Sequence, residues 1–254
     1  MAIPASEAPR RRHRMREDNS SVSRRLIIAI DGPSGAGKGT IAREVARRLG
    51  YRHIDTGAMY RAVAWSALRE RLDLADEEST EALARRAQLV VGDGIVSVDG
   101  HDVARAIRTP EIDAAASAVA RQPRVREVLI AQQRDMGREG GIVMEGRDIG
   151  TVVFPRADVK IYLDASPEER ARRRAHDPAH SLSAVPPSVG DVATALEARD
   201  RSDRTRSASP LTRASDAVEI DTTGVPIEEV IERVLALVRD RETEGAGRDS
   251  ASEQ

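Results

Sequence analysis

Five short apolar runs mark the chain, at 26–30, 52–54, 142–144, 159–163 and 217–220, and each leads into an acidic residue: Asp31, Asp55, Glu145, Asp164 and Asp221. Longer amphipathic stretches lie between them. Apolar runs alternating with helical periodicity predict βαβ units, and so a five-stranded parallel sheet with helices on both faces. Open sheets of this kind bind ligands at the carboxyl ends of their strands, which is where the five acids fall.

The helical stretches carry their own punctuation. Residues 40–49 follow a glycine-rich turn and stop at Gly50, suited to the left-handed position after a helix. Residues 58–71 repeat apolar or small side chains at Met59, Ala62, Val63, Ser66 and Ala67. Ser166-Pro167-Glu168-Glu169 combines an N-cap, a proline at the first helical position and acids in the first turn. Residues 226–239 show an apolar stripe for docking on the sheet. The rhythm breaks at 89–103, where short apolar pieces around Asp-Gly turns predict a small antiparallel insert. Residues 177–190, with Pro178, Pro186, Pro187 and Gly190, are expected to be a loop or mobile lid. Residues 1–24 and 241–254 are polar and aperiodic and are expected to be disordered tails, leaving a folded body at 25–240.

Composition removes several classes of function. The 254 residues contain no cysteine, which excludes disulfides, a thiol nucleophile and thiolate metal sites. Aromatics are 2% of the chain, too few for base-stacking on single-stranded nucleic acid, and the formal charge of −2 lacks a nucleic-acid binder's basic balance. No run approaches the ~18 apolar residues of a membrane span. The basic start turns into Glu17, Asp18 and Asn19 rather than an apolar stretch, so no secretory signal is expected. A cytoplasmic location follows. Lys38 and Lys160 are the only lysines, so a lysine within a motif is informative.

Lys38 sits in Gly32-Pro33-Ser34-Gly35-Ala36-Gly37-Lys38-Gly39-Thr40, between a predicted strand and a predicted helix. Such glycines let backbone N–H groups turn toward a phosphate chain, and the helix N-terminus adds partial positive charge. The lysine can reach β and γ oxygens, and the Thr40 hydroxyl can serve a magnesium shell. Gly39 follows the lysine where the common form has Ser or Thr, an arrangement seen in nucleoside monophosphate kinases. Downstream, Thr56, Tyr60 and Arg61 follow the second strand, and Arg147 and Asp148 follow the third. The run 199–206 read alone is a solvated, salt-bridged helix.

Taken in order, GPSGAGKGT, IDTGAMYR, IRTPE, ASAVA with PRVRE, EGRDIGTVVFP, IYLDASPEERARRR and RDRSDRTRSASPL resemble the bacterial cytidylate kinase family over about residues 26–240. The resemblance implies a P-loop core at 25–55, 142–165 and 215–240, a monophosphate-binding insert at 56–135 and a lid at 166–190. It implies ATP-dependent phosphorylation of CMP and dCMP, with magnesium accompanying ATP and a monomeric enzyme without nucleic-acid or membrane partners. Gly32 to Thr40 would cradle ATP. Thr56, Arg61 and Arg147 are similar to positions gripping the CMP phosphate, with Arg206 closing over it and Tyr60 beside them. Ser117, Arg126 and Asp148 are similar to residues reading cytosine, and Arg199 and Asp203 to those holding the sugar. Lys38, Arg147, Arg170, Arg174 and Arg206 would act on the transferring phosphoryl group, with Arg173 a further lid arginine. The lid lacks the Lys-Gly-containing helical stretch expected of the family. Another P-loop kinase, for AMP, UMP or a metabolite such as shikimate, is the alternative. A regulatory nucleic-acid module working through the arginine-rich start is a more distant one. His53, His101, His176 and His180 form no metal-like grouping, and Trp65 is expected to pack on its helix.

Overall fold

The computed structural model describes residues 25–177 and 188–251; the expected amino-terminal tail and 178–187 of the lid, with His180, lie outside the described residues. Strands β1 (Ile27–Asp31), β2 (Arg52–Asp55), β6 (Ile142–Gly146), β7 (Val159–Asp164) and β8 (Val218–Asp221) form one sheet in the order β2-β6-β1-β7-β8. Every neighbouring pair is parallel. Alternation along β1 explains the two layers. Ile28 and Ile30 face a core shared with Val45, Val234 and Val238 of helices α1 (Lys38–Leu49) and α8 (Ile227–Ala251). Ala29 faces the opposite core with Met59, Ala62 and Leu129 of α2 (Thr56–Arg69) and α5 (Pro123–Met136). Each fully buried branched side chain contributes about 1.5–3 kcal/mol, so burial on two faces accounts for the uninterrupted apolar runs.

The insert consists of helix α3 (Glu77–Arg86), strands β3 (Leu89–Gly92), β4 (Ile95–Val98) and β5 (His101–Asp102), and helix α4 (Pro110–Val119). Its strands pair antiparallel, as read from the sequence. Both hairpin turns use Asp-Gly in the left-handed region, with φ of 50° and 84° at Asp93 and Gly94, and 49° and 78° at Asp99 and Gly100. Trp65 packs against the insert-side core and carries Arg69 at 5.1 Å from its ring.

Four boundaries differ from the sequence reading. Gly37 occupies the N-cap of α1 at φ 90°, so the helix starts at Lys38 rather than at 40. Asp55 accepts from the Ala58 amide and starts α2 at Thr56, while Arg71, at φ 57°, lies beyond its end. Ser188 caps helix α7 (Val189–Thr205) on the Asp191 amide, so 189–190 open a helix rather than end a loop. Finally, α8 continues to Ala251 where a disordered tail was expected. No proline interrupts 227–251, and Arg241 pairs with Glu244 at 2.9 Å across one turn.

Candidate active site

The strand ends open into a cavity of about 810 Å³ between the glycine-rich loop, the insert and helices α6 (Pro167–Ala175) and α7. Among the described residues, eleven lysine and arginine side chains line it against six carboxylates. That excess suits a ligand carrying several negative charges.

The loop's glycines allow two close approaches. A Cβ at Gly32 would meet the Leu163 carbonyl oxygen at 2.0 Å, and one at Gly35 would meet Arg170 at 2.9 Å. No side chain caps α1, so its first N–H groups remain for an anion. Lys38 Nζ donates to the Pro33 carbonyl at 2.7 Å. Burial, reinforced by the neighbouring Arg147 charge, pushes its amino group down to about 7. Thr40 is exposed on the cavity rim. Arg173, on α6, donates to the Thr222 hydroxyl at 2.9 Å and to the Thr222 carbonyl at 2.7 Å, across from Gly37.

Thr56 and Arg61 flank the opposite wall. Thr56 Oγ1 donates to the Glu145 carbonyl at 2.7 Å, and Arg61 pairs with Asp55 at 2.8 Å. Arg147 donates to Asp203 at 3.0 Å. Burial alone would raise the Asp203 carboxyl, but Arg147 and Arg206 outweigh it and hold it below the usual range. Burial, with Arg147 adding to it, pushes Arg199 down to about 10.

Deepest in the wall, Arg126 donates to Asp148 at 2.5 Å, and both are almost fully buried. The Arg126 guanidinium lies 5.3 Å from the Tyr60 ring centre. Arg206 approaches Asp148 at 3.7 Å and donates to the Ser209 carbonyl at 2.7 Å. Ser117 joins this end, its hydroxyl donating to the Asp113 carbonyl at 2.9 Å. Burial pushes the Tyr60 phenol up to about 12, so it stays protonated.

The structure thus brings Ser34, Gly35 and Gly37 to Thr40 of the loop, with Thr56, Tyr60, Arg61, Ser117, Arg126, Arg147, Asp148, Arg199, Asp203 and Arg206, to one cavity, while Gly32, Pro33 and Ala36 of the loop do not line it. Arg174 also lines it, ion-paired to Asp113 of α4. Arg170 is not brought to the wall; its guanidinium turns behind the loop to Asp200. The run 199–206 is helical as far as Thr205, but only one side is solvated. Arg201 and Arg204 are exposed, while Arg199, Asp203 and Arg206 line the cavity.

The family model for cytidylate kinase matches residues 28–240. The chain belongs to the cytidylate kinase family. It is 51% identical over 222 residues to the cytidylate kinase of Solibacter usitatus, covering 87% of this chain and 96% of that one. The cytidylate kinase of Geobacter sulfurreducens is 50% identical over 228 residues, with 88% and 97% covered. A bifunctional pantoate ligase/cytidylate kinase from Gloeobacter violaceus is 47% identical over 226 residues, covering 86% of this chain and 44% of that longer protein.

Glu145, which the sequence reading marked as a strand-end acid but gave no role in the site, also belongs to the cavity. It lies at the end of β6, where a Cβ on Gly39 would lie 3.1 Å from its carboxylate. His53 is buried against that carboxylate at 3.1 Å. The strand-end position of Glu145 was visible in the sequence; its pairing with a histidine 92 residues away was not.

Proposed function

We propose that the protein transfers the terminal phosphoryl group of ATP to CMP and dCMP, giving ADP with CDP or dCDP. The observation that carries this reading is the buried Asp148–Arg126 pair in the wall of a cationic cavity that begins at a phosphate-binding loop. In it, the Asp148 carboxylate accepts from the exocyclic amine of cytosine and opposes the carbonyl oxygen that uracil carries there. Arg126 fixes that carboxylate from behind, and Ser117 completes the edge. A buried polar group left unpaired by the wrong base is the strongest source of such discrimination.

The other residues divide by position. The loop from Gly32 to Thr40 cradles the ATP phosphates, with Lys38 recharged by the anion it meets. Thr56, Arg61 and Arg147 hold the CMP phosphate, Arg206 closes beside them, and Arg199 and Asp203 face the sugar. An oxygen of the CMP phosphate attacks the γ-phosphorus in line, the bond to the β-bridging oxygen breaks, and ADP leaves. No base is needed, because that oxygen is already anionic at neutral pH. Charge spreading over the equatorial oxygens is met by Lys38, Arg147, Arg173 and Arg174, and positioning with electrostatics carries this reaction class. Magnesium fits the donor end as a partner of ATP. The Thr40 hydroxyl and Glu145 carboxylate supply hard oxygens there, and the described residues contain no group of three ligating side chains that would cage it alone. When bound it neutralises phosphate charge.

The test compares kcat/KM for CMP and UMP in the wild type and in Asp148→Asn. An amide donates to the uracil oxygen as readily as it accepts from cytosine. The CMP-over-UMP ratio should therefore fall by about 10- to 100-fold, the range of a hydrogen bond to a charged group. An unchanged ratio would remove Asp148 from base recognition.

A further inference from the structure

Arg170 connects three segments from behind the phosphate loop. Its Nε donates to the Ala165 carbonyl at 3.1 Å, its Nη1 donates to the Ser34 carbonyl at 3.2 Å, and the same nitrogen pairs with Asp200. Both charged side chains are buried, 8% and 3% exposed. Gly35 supplies a second observation, since a Cβ there would lie 2.9 Å from both the Cβ and the carbonyl oxygen of Arg170. The loop therefore rests directly on the first turns of α6. Thirdly, α6 and α7 share a small apolar core of Ala171, Val192 and Leu196. Flanking Asp200 on α7, Arg199 and Asp203 line the acceptor side of the cavity.

We infer that Arg170 and Asp200 are positioning residues that couple the two nucleotide sites. A triphosphate that fixes the Ser34 and Gly35 peptides fixes Arg170, because the contact leaves no slack. Asp200 follows its buried partner, and Arg199 and Asp203 are thereby held for the acceptor. Coupling of this kind is a free energy shared between sites, so each nucleotide strengthens the other equally. The identity of the nucleotides rests on the proposed function; the connection itself rests on the packing.

Calorimetry tests it by titrating CMP with and without a saturating non-hydrolysable ATP analogue. The wild type should bind CMP at least about fivefold more tightly with the analogue present. In Asp200→Asn, and in the double variant Arg170→Met with Asp200→Leu, which leaves no buried charge unpaired, the ratio should fall toward one. A ratio of one in the wild type, or an undiminished ratio in variants that melt cooperatively, overturns the inference. Hydrogen exchange on the wild type gives a reading independent of any variant: the analogue alone should slow exchange of the amides at 199–206, and no change there also overturns it. If CMP fails to bind under either condition, the proposed function falls and takes this inference with it. CMP binding without coupling sinks only the inference.

Discussion

Lys38 shows how one residue converts burial into chemistry. Burial, reinforced by Arg147, holds its amino group down to about 7, far below the ordinary lysine value of 10.5. A triphosphate laid against it restores the charge, so ATP binding near pH 8 should take up close to one proton, and near pH 6 almost none. Titration calorimetry in buffers of different ionisation heat reads this directly; uptake independent of pH would contradict it. The same depression means that folding disfavours the charged form, a penalty fully present below pH 7 and gone above about pH 10.5. Lys38→Met should accordingly raise the melting temperature at pH 6 while lowering turnover by about 10²–10³, the loss seen when one donor to a developing oxyanion is removed. Much of the cavity's lining was legible at this scale. Arg199, Asp203 and Arg206 are spaced at i, i+4 and i+7, one face of a helix, and that spacing could have separated them from exposed Arg201 and Arg204. The partners Asp113 and Asp200 were not legible, because they meet their arginines from 61 and 30 residues away and no local period encodes such a meeting.

Among the elements, β1 does more than fill the middle of the sheet. Its last residue, Asp31, accepts from the amides of Ile149 and Gly150 at 2.8 and 2.7 Å and so anchors the turn that follows Arg147 and Asp148. Burial, opposed by those two amides, lifts the Asp31 carboxyl to about 6. A folded value above the unfolded one gives a contribution that is present below about pH 3.8 and lost as pH rises through 6. Asp31→Asn removes that dependence. Its melting temperature relative to the wild type should therefore improve steadily between about pH 4 and pH 7, and a constant difference across that range would show that Asp31 does not titrate there. The strands themselves were readable to within a residue or two, since a strand buried on both faces is an apolar run and its acid marks the edge. Helix ends were harder. The start of α1 depends on a left-handed Gly37, and the extension of α8 past 240 carries no apolar stripe and contains two glycines, Gly245 and Gly247, so its pattern did not announce a helix.

For the molecule as a whole, charge is distributed rather than abundant. The chain carries a formal −2, yet among the described residues eleven cationic side chains line the cavity at the strand ends. Donor and acceptor groups approach it from the sheet edge, the insert and the α6–α7 pair. That convergence brings the glycine-rich loop and the buried Arg126–Asp148 pair to one cavity, the arrangement on which the proposed phosphoryl transfer between two nucleotides rests. Initial rates of ADP formation with ATP and magnesium, offering CMP, dCMP, UMP and AMP separately, test this most directly. CMP and dCMP should turn over rapidly, with UMP and AMP far slower. Fast UMP with slow CMP would contradict base recognition by Asp148, and no turnover with any of the four would contradict the phosphoryl transfer itself.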